Sequence, residues 1–228
     1  MTKSTKQGLY ALSLLGCLVS GNIAAAELEI TVTNATKGIY FTPLLIAAHD
    51  GSNTLFETGT AASAELQAMA EGGDISGLSS AVSNAGGDVV ENPATGPLAP
   101  AGTTTFDFDT GSHEYLSLTA MLLPTNDGFV GLNSWKIPTE AGTYSIKLNG
   151  YDAGTEINDE LATSIPNPPF ITNLGANGTG VEQTASNATV HIHPGNLGDA
   201  DATAGASDFD FAVHRWLNPV AVMTVVVK

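Results

Sequence analysis

Cysteine, basic residues and aromatics are all scarce in this chain of 228 residues. There is one cysteine, seven Lys and Arg stand against 23 Asp and Glu, and aromatics make up 7%. A net charge of −16 with no Lys/Arg cluster excludes a protein that grips nucleic acid through its phosphates. The same charge argues against holding an anionic membrane by electrostatics. A hydrophobic content of 43% is too high for a disordered acidic chain. Missing too are a Gly-x-Ser-x-Gly elbow, a His-Glu-x-x-His helix and a Gly-rich phosphate loop, the common marks of hydrolases, zinc proteases and nucleotide enzymes.

Residues 1–26 read as a secretory signal. Lys3 and Lys6 form a basic start, Leu9 to Ser20 an apolar stretch, and Ala24-Ala25-Ala26 a small-residue cleavage site. No segment reaches the roughly 18 apolar residues of a membrane-spanning helix, so no transmembrane segment is expected in the mature chain. Cleavage near Ala26 leaves 27–228 as one domain with five basic and 23 acidic residues, a net charge of −18. It also removes Cys17, and with it any disulfide, thiol nucleophile or thiolate metal site. A secreted or periplasmic protein follows. Leu14-Leu15-Gly16-Cys17 is a poorer match to a lipoprotein box, which would anchor the chain through Cys17 instead.

The remainder reads as short strands. Leu28 to Thr33 alternates apolar and polar residues, as do Thr103 to Phe108, Tyr115 to Leu123, Thr143 to Leu148, Thr189 to His193 and Val220 to Val227. Turn residues separate them, among them Asp109-Thr110-Gly111 and Asn149-Gly150. The pattern predicts an all-β fold, an antiparallel β-sandwich with one helix over Ala61 to Glu71 stopped by Gly72-Gly73. Segments 86–101 and 166–180 read as long loops rich in Gly, Pro and Asn.

Two constellations can carry metal chemistry. Asp127 sits in Asn126-Asp127-Gly128, and Asp152 and Glu156 flank Ala153-Gly154-Thr155. Each places acids in a Gly-containing turn beside a strand end. Calcium wants six to eight oxygens, from carboxylates, backbone carbonyls and water. Spacing alone leaves two readings open, a calcium site and solvated charge on exposed turns. The second constellation is His191-Ile192-His193, which a strand would place with both imidazoles on one face. With His214, or His49 and Asp50, it offers neutral nitrogens to zinc or copper; exposed polar strand positions are the plainer reading. Asp107/Asp109 and Asp208/Asp210 lie two apart on one strand face, unlike the separated acids of glycosidases. They read as charged strand edges that discourage aggregation.

Several motifs in order resemble the spondin domain of the F-spondin/mindin type, in its short secreted bacterial form. They are Thr42-Pro43-Leu44, His49-Asp50-Gly51, Leu55 to Gly59, Ala61 to Asp74, Pro124 to Gly131, Tyr151 to Glu156 and Trp216 to Ala221. The resemblance implies a β-sandwich similar to a C2 domain, with Ca2+ held in loops at one end by Asp127, Asp152 and Glu156. Glu156 stands where the family usually has aspartate. It further implies binding or adhesion at the cell envelope without catalysis, toward an extracellular or envelope protein or glycan. The alternative is a periplasmic zinc or copper protein, or a metalloenzyme, using His191 and His193.

Overall fold

A computed structural model describes residues 26–166, 175–176, 178–185, 188–201 and 205–228. The leader read at 1–26, with Cys17, lies outside the described residues except for Ala26. Ten strands follow in chain order: β1 Glu27–Asn34, β2 Tyr40–Phe41, β3 Leu45–His49, β4 Asp88–Glu91, β5 Thr103–Asp109, β6 Tyr115–Leu123, β7 Gly128–Lys136, β8 Gly142–Asp152, β9 His191–Ile192 and β10 Ala221–Val227. Helices α1 Ala64–Gly72 and α2 Ser76–Asn84 lie between β3 and β4, and α3 Phe211–His214 precedes β10.

All pairings between named strands are antiparallel, in the order β4-β3-β6-β7-β8-β10-β1-β5, with β2 on β6 and β9 on β8. Strand β8 belongs to both layers of the sandwich. Its residues Gly142 to Leu148 pair with β10, whereas Asn149 to Asp152 pair with β7. The alternation in β1 and β10 buries Leu28, Ile30, Val32, Met223 and Val225 on one face. These meet Ile46, Leu116, Leu118, Ala120 and Val130 of the opposing layer in one apolar cluster. At about 1.5–3 kcal/mol per buried large side chain, this interface is the main stabilising body of the fold.

Strands β3 and β6 do not alternate in burial, because they are covered twice. Their second face, with Leu45, Ala47, Met121 and Leu123, packs against Leu66, Met69 and Ala70 of α1 and Leu78 and Val82 of α2. The first helix starts three residues later than expected, at Ala64, and ends as expected: Ser63 Oγ accepts the Leu66 N–H at 3.1 Å, and Gly73 ends it in the left-handed region at φ 72°.

Four expectations are corrected. A second helix follows α1 after Asp74-Ile75. The segment 86–101 contains β4. Asn149-Gly150 is no turn, because a Cβ at Gly150 would lie 2.6 Å from the Trp216 ring, so glycine there lets the buried indole lie on the strand. Strand β9 is also shorter than the predicted Thr189 to His193. The sandwich itself stands as expected, and β5, carrying exposed Asp107 and Asp109, is one of its edge strands, whereas Asp208 and Asp210 lie on no named strand: Asp208 accepts the Ala162 N–H and Asp210 caps α3.

Candidate metal centre

The turn between β6 and β7 is closed by Thr125. Its hydroxyl donates to the Leu122 carbonyl at 2.5 Å and accepts the Gly128 N–H at 3.0 Å. Asp127 is thereby fixed at the start of β7, and its carbonyl accepts the Ala153 N–H at 3.1 Å. Register pairs Gly128 with Asp152, so the two aspartates come side by side at one end of the sandwich. Both are buried, Asp127 at 0% and Asp152 at 2% exposure.

Their oxygens are used unequally. Asp127 Oδ2 accepts the backbone N–H of Thr155 at 2.7 Å and of Glu156 at 3.0 Å, with the Thr155 hydroxyl at 3.2 Å. Asp127 Oδ1 is buried and has no hydrogen-bond partner. Asp152 Oδ1 accepts the Gly154 N–H at 2.7 Å, and Oδ2 accepts from the Asn158 amide at 2.6 Å. Gly154 is required at its place: φ is +73°, and a Cβ would lie 2.7 Å from the Thr189 backbone. Burial first, and the Asp152 charge second, push the Asp127 carboxyl up to about 6 against the pull of the Thr155 and Glu156 amides.

Glu156 joins this centre through its backbone, whose N–H is held by Asp127. Its carboxylate accepts the Gly180 N–H at 2.9 Å and, with Glu71, lines a cleft of about 410 Å³. Burial, then the Glu71 charge, push Glu156 up to about 7. Among the described residues no group of three or more His, Cys, Asp or Glu side chains stands ready-arranged around one ion. The centre thus offers two adjacent carboxylates, one orphaned oxygen and a third acid one loop position away. Thr155, Asn158 and Glu71 escaped the sequence reading; the first two stood inside the Thr155 to Asn158 stretch as polar neighbours of the acids, while nothing local marks Glu71.

The histidines border the same end. His191 Nδ1 donates to the Thr189 carbonyl at 2.8 Å, and its Nε2 lies 3.7 Å from Asp152 Oδ2. His193 is 3% exposed, and burial lowers it to about 4. Its Nδ1 accepts the Gly195 N–H at 2.9 Å, so the proton of the neutral ring sits on Nε2, which is buried and unpartnered. As placed, His193 offers no lone pair to a metal. His49 makes a comparable bond elsewhere: Nδ1 accepts the Gly51 N–H and Nε2 donates to Ser117 Oγ, the reverse of a base activating a nucleophile.

The chain carries Asn-x-Thr glycosylation sequons at Asn34, Asn177 and Asn187; that at Asn34 is closed, since its buried amide donates to the Ile39 and Leu98 carbonyls. Those at Asn177 and Asn187 lie outside the described residues. No helix among the described residues is long and apolar enough to cross a membrane.

The family model Spondin_N matches residues 33–174. No curated protein matches the chain. The matched span includes β2 to β8, both core helices, Asp127, Asp152 and Glu156.

Proposed function

From the premise that the chain belongs to the Spondin_N family, a family of extracellular-type binding modules, we propose an exported Ca2+-binding module that acts by binding or adhesion at the cell envelope, without catalysis. Asp127 and Asp152 are the principal ligands, Glu156 is the third acid, and backbone carbonyls and water complete the oxygen set that calcium requires.

One observation carries this reading: Asp127 Oδ1 is a buried carboxylate oxygen with no partner, beside a second buried carboxylate. An unpaired buried charge is costly and must be neutralised by a proton or a cation. A hard divalent ion suits oxygen donors that have no thiolate among them and no available imidazole lone pair from His193. Once bound, the ion supplies positive charge that cancels the repulsion between the acids. The chain's own residues do the rest: Thr125 fixes the turn, and Asp127 ties 155–156 to β7. Glu156, whose carboxylate is held by the Gly180 N–H, would supply the third acid. In the His49–Ser117 pair the imidazole donates to the hydroxyl, so it is not poised as that hydroxyl's base.

A thermal melt of the mature protein after chelation tests the reading, with calcium, zinc and copper restored separately. Calcium alone should raise the midpoint, by several kcal/mol of stability at saturation, and Asp152→Ala should abolish the response. An Asp152→Ala protein with the full calcium response, or a wild-type response to zinc or copper alone, would overturn it.

A further inference from the structure

The large apolar side chains that remain exposed are not scattered. All seven among the described residues, from Ile157 to Leu217, lie in the excursion between β8 and β10. Leu217 is 75% exposed, Leu197 66%, Ile192 48% and Phe211 47%. Backbone contacts bring the segments that carry Leu197, Phe211 and Leu217 beside one another, next to the turn that holds Asp127. Glu160 accepts the N–H groups of Leu197 and Gly198. The Phe211 N–H donates to the Asp199 carbonyl, and a Cβ at Gly198 would lie 2.7 Å from the Phe211 Cα. A Cβ at Gly195 would lie 2.2 Å from the Trp216 carbonyl, so 195–198 also runs against the residue before Leu217. Asn196 joins the whole to the metal-centre turn through the Pro124 carbonyl at 2.9 Å.

Charge on this excursion is mostly negative, although the Lys37 ammonium reaches it at the Ala212 carbonyl. Residues 153–217 hold eight acids and a single basic residue, Arg215. Glu160, Asp199, Asp208 and Asp210 stand directly among the apolar tips. Grouped exposed apolar side chains mark a contact surface, and the acidic surround selects what covers it. A second copy of this chain, or an anionic bilayer, would meet like charge.

We propose that this end of the sandwich docks a protein segment whose apolar residues are flanked by Lys and Arg, with Leu197, Phe211 and Leu217 as anchors. The inference rests on the reading of the chain as a binding module and names its partner class; it does not depend on the ion. Apolar contact supplies the affinity, and the acids supply orientation and on-rate.

The probe is an amphipathic Leu/Lys peptide titrated against the mature protein, with a Leu/Glu peptide and phosphatidylcholine vesicles as controls. The triple variant L197S/F211S/L217S removes only exposed side chains, so its melting midpoint and calcium response should match wild type. Wild type should bind the Leu/Lys peptide and neither control, and the variant should bind it at least about tenfold more weakly. Equal binding by the variant would show charge attraction alone and overturn the proposal, as would binding of the vesicles or the Leu/Glu peptide. Because the calcium response is read on the same samples, wild type that fails to bind the Leu/Lys peptide while keeping that response sinks the docking surface and leaves the metal site standing.

Discussion

The sheets and the excursion 153–220 are held together by different physics. In the sheets, every second residue of β1 and β10 is buried, and their partners are other apolar side chains. Among the described residues of the excursion, regular structure is limited to a 3-10 turn at Ala162–Ser164, β9 and α3. There carboxylates take many of the backbone N–H groups, beside carbonyl bonds such as Ile157 to Val181 and Asp199 to Phe209. Asp159 takes the Leu161 N–H, Asp208 that of Ala162, Glu160 those of Leu197 and Gly198, and Asp199 those of Asp201, Ala206 and Ser207. The acidity of the chain is therefore partly structural: a loop region with little apolar filling uses anions as acceptors for its amides. Asp127 and Asp152 are the point where the two regimes meet, since Asp127 starts a sheet strand and ties down the first residues of the excursion.

The comparison breaks most severely in the core. Phe41→Ala, at a fully buried position, should cost about 3–5 kcal/mol, read as a fall in the denaturant midpoint. A core that tolerates it would mean that the excursion carries more of the stability than its packing allows.

A smaller effect separates the regimes by pH. Asp127 is raised from 3.8 to about 6, so in metal-free protein its contribution is full below pH 4 and is lost as pH rises through 6. His193 is lowered from 6.5 to about 4, so its contribution is full above pH 6.5 and is lost on acidification toward 4. Each shift corresponds to roughly 3 kcal/mol, and between pH 4 and 6 the two slopes oppose one another. Asp127→Asn removes one of them, so this variant should lose more stability than wild type on going from pH 6.5 to 4 in chelator. Identical pH profiles would contradict the placement of Asp127.

Local effects come next. Glu160→Ala removes the acceptor of two amides and should cost about 1–2 kcal/mol. Hydrogen exchange should quicken at Leu197 and Gly198 while β1 and β10 stay protected. The smallest effect belongs to Asp107, which pairs with Lys228 on the exposed edge. Asp107→Ala should leave the midpoint unchanged, showing that acids on the sheet edge and acids in the excursion have different work.

Legibility from the sequence follows the same division. Strands β1, β5 and β10 announce themselves because one face is wet and the period of two survives. Strand β3, Leu45-Ile46-Ala47-Ala48-His49, is buried on both faces, so it shows no alternation and was missed. Helix α2 hid behind Ser, Gly and Asn, although Leu78 and Val82, four apart and both buried, were the available signal. Gly128 and Gly131 made the start of β7 look like a turn; a Cβ at Gly131 would lie 2.7 Å from the Phe56 ring, so that glycine serves packing. At the buried carboxylate pair, Asp127 and Asp152 stand out in the sequence because each lies where a strand meets a turn. The direction of the Glu156 carboxylate was not, because it depends on Gly180 and Glu71, distant in the chain and brought near only by the fold.

The most direct test of the buried carboxylate pair as a calcium site is a calorimetric calcium titration of chelated wild type and Asp127→Asn. The isosteric amide can keep the bonds to Thr155 and Glu156 while removing the charge. Wild type should take up one ion per chain, and the variant none in the same concentration range. Equal uptake by both would place the ion elsewhere, and no uptake by wild type would leave the pair as a protonated structural clasp.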